Sequence, residues 1–298
     1  MRGGGIITSL AQDRPEKFRI GRVFSNSFAV IGRNLGFLAV VVGLFSTLPA
    51  LLYNLWNLSR VATSVNVDSA GNAAAFETSA MGDYSGLSIV ASLIIFVLAL
   101  LVQAALVRAA IEDLNGKRPV IGDCIQIALR SFLPTLGIGI LIIVTLVVAV
   151  FVMVFIAWVI PPIGWLIGLA LAFIPAFMWL ISVSVSVPIA VQERLGVFGS
   201  ISRSRALTKG SRWSIFWLLL IIGVAAMLIQ AVFTLFFGLA VATTGGITGV
   251  GVLVGALGST LVSTIFSTML SVTIAVTYVE LRQVKEGTSV DELAEIFS

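Results

Sequence analysis

Histidine is absent from the 298 residues, cysteine occurs once, and only 11% of the side chains are charged. Without histidine there is no Ser-His-Asp triad, no histidine general base and no zinc site of the common kinds. A lone cysteine, Cys124, allows no intrachain disulfide. Soluble domains average about 25% charged residues, so the scarcity of charge excludes an ordinary soluble protein. No stretch is polar enough to fold as a separate soluble unit. Residues 1–21 carry no apolar core of the length that a cleaved signal peptide requires, so none is expected.

What the chain has instead is apolar surface: 58% of its residues are hydrophobic and the mean hydropathy is +1.10. A bilayer core about 30 Å thick needs roughly 20 apolar residues of helix. Six such runs occur, at residues 35–56, 87–107, 136–158, 164–187, 215–242 and 250–278. The expected fold is a single all-α transmembrane domain of about six helices spanning residues 1–298. The net charge of +4 is topological and implies no nucleic acid, because the charges flank the apolar runs. With the N-terminus inside, 17 of the 18 Lys and Arg residues fall on the inner side and only Arg60 falls outside. Basic residues are retained on the cytoplasmic side, so both termini are expected there, in a cell inner membrane. The outer connection 57–86 is polar and reads as a flexible loop. Aromatic residues belong at headgroup level. Tyr53, Trp56, Tyr84, Trp158 and Trp165 would form the outer belt, and Trp213, Trp217 and Tyr278 the inner one.

The inward segments before the first, third and fifth runs look alike, around Gly21-Arg22, Gly122-Asp123 and Phe198-Gly199. In the first, Ile20, Phe24, Phe28, Ile31 and Leu35 recur at helical spacing, opposite Arg22, Asn26 and Arg33. A helix with that pattern lies in the interface with its apolar side down. The chain is therefore expected to contain three units of interfacial helix plus transmembrane hairpin.

Between the span edges there is no Asp, Glu, Lys or Arg. An intramembrane charge usually marks an ion path or proton relay, so its absence argues against ion-coupled transport and intramembrane acid–base catalysis. Uncharged polar groups are present. Gly251, Gly255, Ser259, Ser263, Ser267 and Ser271 follow one another at four-residue spacing in the sixth span. Such a stripe lets a second helix approach and its hydroxyls bond across the contact, or it lines a ligand groove. Gln230, with Thr234 one turn on, is placed to bond to it. Pro49, Pro175 and Pro188 kink or end helices. Ser182, Ser184 and Ser186 scatter around a helix and share no site, and Cys124 is a buried or interfacial filler. Asn57-Leu58-Ser59 fits the glycosylation sequon only weakly, because it abuts a span.

Arg203, Arg205, Lys209 and Arg212 precede the fifth span as candidate contacts for anionic headgroups. The last three would share a face if one helix ran through them, which Gly210 opposes. Thr208-Lys209-Gly210-Ser211 lacks the frame of a phosphate-binding loop. In the tail, 288–298, Ser289 and Glu292 form a capping box before an amphipathic acidic helix, suited to packing or to docking a protein partner at the cytoplasmic face. No cofactor is expected and no catalytic residue is assigned. A metal site would have to come from Glu112, Asp113 and Asp123.

Two stretches, Ser202-Arg203-Ser204-Arg205-Ala206-Leu207-Thr208-Lys209-Gly210 and Tyr278-Val279-Glu280-Leu281-Arg282-Gln283-Val284-Lys285-Glu286-Gly287, with the overall layout, resemble the bacterial membrane-domain family named after glycerophosphoryl diester phosphodiesterases. The resemblance implies an inner-membrane bundle. It implies no activity, because the family's phosphodiesterase chemistry resides in a separate domain that depends on histidines. The leading expectation is a non-enzymatic lipid- or partner-binding scaffold or regulatory module. The alternative is a partner-driven or uncoupled permease for a lipid or amphiphile.

Overall fold

The computed structural model describes residues 18–64, 86–160, 163–243 and 249–287. Among them every regular element is helical, and six helical stretches are long and apolar enough to cross a membrane. This is an all-α multi-pass membrane protein. Helices close every backbone hydrogen bond within themselves, which is what hydrocarbon demands. The elements are α1 (Ile20–Arg33), α2 (Leu35–Val42), a π-helical turn (Gly43–Thr47), α3 (Leu48–Ser64), α4 (Gly86–Leu114), α5 (Ile121–Arg130) and α6 (Phe132–Val159), followed by α7 (Gly164–Val183), α8 (Ser186–Glu193), α9 (Gly196–Thr208), α10 (Arg212–Thr243) and α11 (Gly249–Arg282), with a second π-helical turn (Gln283–Gly287).

The spans alternate in direction, and the short helices α1, α5, α8 and α9 gather at one end, hereafter the basic end. Proline explains two irregularities. Pro49 lacks an N–H, and the π turn immediately before it widens the helix where the lost bond would leave a carbonyl idle. Pro188 stands in the first turn of α8, where no N–H is required, after α7 has broken at Ser184–Val185. Gly116 (φ 73°) ends α4 and Gly210 (φ 94°) turns the chain from α9 into α10. Both are left-handed positions that suit glycine.

Three short helices do precede the first, third and fifth spans, but they are not equivalent. α1 and α5 each bury one apolar-lined face, including Val23, Ser27 and Val30 on the first and Cys124 and Ala128 on the second. α9 instead buries Ser200, Ile201, Ser204, Leu207 and Thr208. Its Ser204 hydroxyl donates to the Ser182 carbonyl at 2.8 Å. The third helix is thus packed more deeply than the first two, although Phe198, Ser202, Arg205 and Ala206 on its other side stay exposed. The outer connection is shorter than its composition suggests: α3 runs on to Ser64, so Asn57 of the sequon lies in a helix. Residues 65–85, including Tyr84, and the tail 288–298 lie outside the described residues.

The main core sits at the basic end. It joins Val23 and Val30 of α1, Ala104 to Ile111 of α4, Ile189 to Val191 of α8, Leu207 of α9, Ile215 to Ile222 of α10 and Val272 to Leu281 of α11. α11 is the most buried span and packs against α1, α3, α4, α8 and α10. α6 is the least buried, and its principal neighbour is α7. That hairpin closes on a stripe of Gly164, Gly168, Ala172 and Ala176, all buried. A Cβ at Gly168 would stand 2.7 Å from the Met153 carbonyl oxygen, and one at Gly164 2.5 Å from that of Ile156. In lipid no hydrophobic effect drives helices together, so close van der Waals approach at small residues supplies the attraction.

Replacing Gly168 with isoleucine is expected to cost about 1–3 kcal/mol, because backbone atoms cannot move aside as a side-chain tip can. Gly32→Ala, where nothing lies within 4 Å, is expected to leave stability unchanged or raise it by up to about 1 kcal/mol. Thermal melting of both variants in detergent checks the contrast.

Candidate functional site: an ion-paired end and its grooves

The acids and bases of the basic end find one another across helices. On α1, the Arg22 Nη1 lies 3.4 Å from a Glu280 oxygen of α11, whose side chain is only 3% exposed. At the end of α1, Arg33 pairs with Asp113 of α4 at 2.6 Å, and the Asn34 amide donates to the same carboxylate at 2.8 Å. Arg108 of α4 spans Glu112 at 2.8 Å and the Gln192 carbonyl oxygen of α8 at 2.8 Å. Glu193 of α8 accepts from the Tyr278 hydroxyl of α11 at 2.9 Å and from the Arg203 Nε of α9 at 3.2 Å. Arg203 also pairs with Glu286, which holds Arg282 at 2.7 Å. Lys285 donates to the carbonyls of Ala206 and Lys209 at 2.6 and 2.8 Å. Those carbonyls lie at the C-terminal end of α9, where a cation complements the helix dipole.

This network relocates several residues singled out from sequence. Tyr278 is no belt aromatic: it is buried, its hydroxyl held by Glu193. Trp158, Trp165, Trp213 and Trp217 are exposed, and Tyr53 and Trp56 are half-buried. Arg203 is committed to Glu193 and Glu286, whereas Arg205 and Lys209 are exposed and Arg212 is half-buried. They share no helix face, because α9 stops at Thr208 and the chain turns at Gly210. The carboxylates of Glu112 and Asp113 point to different partners, and Asp123 is exposed on α5. No cluster of three acidic, cysteine or histidine side chains able to hold a metal occurs among the described residues. Cys124 is fully buried, 3.9 Å from the Glu112 carboxylate. Burial, then the negative charge of Glu112, pushes its thiol pKa up to about 12, so it stays protonated at neutral pH.

The small-residue stripe of the sixth span divides. Gly255 and Gly258 receive the stacked rings of Phe237 and Phe233 from α10. Ser263 and Ser267 are exposed, and Ser271 is buried. Among the described residues their hydroxyls bridge no helices. Ser263 bonds to the Thr260 carbonyl at 3.0 Å and Ser271 to that of Ser267 at 2.8 Å, both within α11. Ser259 is half-buried, and Gly251 lies outside the described side chains. Cross-helix bonds come instead from Asn54 to Thr260 at 3.0 Å, a pair that sequence reasoning passed over, and from Tyr53, expected only as a belt aromatic, to Ser92 at 2.8 Å. Gln230 is half-buried without a hydrogen bond among the described residues, and Thr234 is exposed.

Hollows accompany these contacts, among them one of about 340 Å³ beside Gln192, Tyr278, Arg282 and Glu286. Another of about 240 Å³ lies between spans one, two and six, lined by Ser46, Gln103, Ser267 and Ser271 together with apolar groups. Gln103 is the sole amide in the second span and carries the same signal that drew notice to Gln230. A cleft of about 830 Å³ at the basic end is lined by Arg33, Asn34, Phe37, Asp113, Lys117 and Arg118. A groove of about 420 Å³ between α7 and the first turn of α10 is lined by Phe173, Ile174, Phe177, Met178, Ile181, Arg212, Trp213 and Phe216. No family model, curated protein or solved structure matches the chain.

Removing one member of a buried pair strands the other. Arg22→Ala, which leaves Glu280 without that cation, is expected to cost about 3 kcal/mol, and adding Glu280→Gln should recover most of it. Chemical denaturation of the two variants in detergent checks this. Equal stability of wild type and Arg22→Ala would refute a structural role for the pair.

Proposed function

We propose that the chain is a non-enzymatic multi-pass protein of a bacterial inner membrane, with both termini in the cytoplasm, whose work is to bind membrane lipid as a scaffold or regulatory module. The carrying observation is a surplus of cations. Glu112, Asp113, Glu193, Glu280 and Glu286 are all engaged with basic side chains of the chain itself. Arg205, Lys209 and Arg212 make no ion pair among the described residues and stand beside the exposed Trp213 and Trp217. Basic groups at that level attract anionic headgroups by about 1 kcal/mol each. The inward pairing of the carboxylates leaves few groups for acid–base chemistry, which supports a role without catalysis. The same end also suits a protein partner. Membership in the membrane-domain family named after glycerophosphoryl diester phosphodiesterases is proposed on the two stretches quoted above and adds no activity.

One observation favours a second reading, a partner-driven or uncoupled permease for an amphiphile: the hollow at Gln103, Ser46, Ser267 and Ser271 places uncharged polar groups inside the membrane. Uptake of labelled lipid or amphiphile into reconstituted vesicles would favour it over the first.

Protein extracted gently from a mixed membrane is expected to retain anionic phospholipid enriched over the bulk, by about fivefold for each engaged basic residue. Lipid analysis of the purified protein measures this. A retained composition equal to that of the surrounding membrane would contradict the proposal.

A further inference from the structure

We infer that the groove between α7 and α10 is a site for one anionic phospholipid, its phosphate on the Arg212 guanidinium and one acyl chain along α7; this rests on the lipid-binding reading and makes it specific. The apolar wall is one face of α7: Phe173, Ile174, Phe177, Met178 and Ile181. From Ile181 down to Phe173 is eight residues, about 12 Å of helix, close to the depth of one leaflet's hydrocarbon. Phe216 closes the other side, meeting Phe177 edge-on at 5.5 Å. The groove's only charge, Arg212, stands at its headgroup-level mouth beside the exposed Trp213.

The mouth selects the occupant. The Nε of Arg212 is buried and has no hydrogen-bond partner, and no carboxylate pairs with its guanidinium among the described residues. A guanidinium presents a planar fork of donors that matches phosphate. Arg212 is also the first residue of α10, whose unsatisfied N–H groups add partial positive charge. Exposed Arg205 and Lys209 nearby would repel the choline of a zwitterionic lipid and favour a headgroup of net negative charge. The cleft at Arg33 differs on this point, because it holds a carboxylate, Asp113, paired with Arg33, beside Lys117 and Arg118. An apolar protein segment would fill the wall of the α7–α10 groove but leave the guanidinium without a counter-charge.

Native mass spectrometry of the full chain, titrated with phosphatidylglycerol and with phosphatidylcholine of the same acyl chains, tests the assignment. Wild type is expected to hold one phosphatidylglycerol in preference to phosphatidylcholine. Arg212→Gln should weaken it about tenfold. Met178→Trp, which fills the groove at an exposed position and leaves the guanidinium in place, should weaken it as well. Arg130→Gln, an exposed cation on α5 away from the groove, should not. Wild type that holds no phospholipid above detergent background would overturn the lipid-binding reading itself. Wild type that holds phosphatidylglycerol equally well with Arg212→Gln and Met178→Trp would leave that reading standing and overturn the groove.

Discussion

Hydrocarbon offers no hydrogen-bond partner, and this constraint arranges the molecule. The charged side chains described stand at the ends of spans, on the short helices or in the connections, and Asp113, Glu193, Glu280 and Glu286 are each matched to an arginine from another element. In a low-dielectric setting an ion pair is strong, yet a stranded charge is costly. The pairs at the basic end therefore act less as added stability than as a condition on which helices can be neighbours. α1 must lie where Arg22 meets Glu280 and Arg33 meets Asp113. α9 must lie where Arg203 meets Glu193.

Around that end the bundle is held in two ways. Near the pairs, Val, Ala, Ile and Leu side chains from ten helices pack into one core, and buried hydroxyls such as Ser204 and Thr208 satisfy themselves on nearby carbonyls. Farther along, close backbone approach takes over: Gly168 against Met153, and Gly164 against Ile156. Much of α6, α7 and α10 presents large apolar side chains outward, the surface that lipid tails solvate. The groove at Arg212 lies on this lipid-facing surface, at the junction between the packed end and the open hairpins.

The spans were legible in the sequence because hydrophobic length is a local property, and the break at Pro188 and the turn at Gly210 were legible for the same reason. The helices before the first and third spans could be read from periodicity. The packing of α9 could not be read, because its Ser204 bonds to a carbonyl of α7 that no local pattern reveals. Tyr278 stands where a belt residue would, and only the cross-helix carboxylate of Glu193 draws it inside. The four-residue stripe misled in part: serines can spend their hydroxyls on their own helix, as Ser263 and Ser271 do, whereas Gly164, Gly168, Ala172 and Ala176 have nothing to spend and simply admit α6. Of the four basic residues taken as lipid contacts, sequence had no means of seeing that Arg203 meets two carboxylates and that Arg212 meets none among the described residues.

The central claim is that the short helices and their ion pairs occupy one membrane face, with the bundle's far turns on the other. Single cysteines placed by Arg130→Cys, Lys209→Cys and Ile163→Cys, probed with a membrane-impermeant maleimide in sealed right-side-out vesicles, address it directly, since Cys124 is buried and contributes little background. The account predicts that Ile163→Cys reacts at once and that Arg130→Cys and Lys209→Cys react only after the vesicles are opened. Reaction of Arg130→Cys and Lys209→Cys from opposite faces would contradict it.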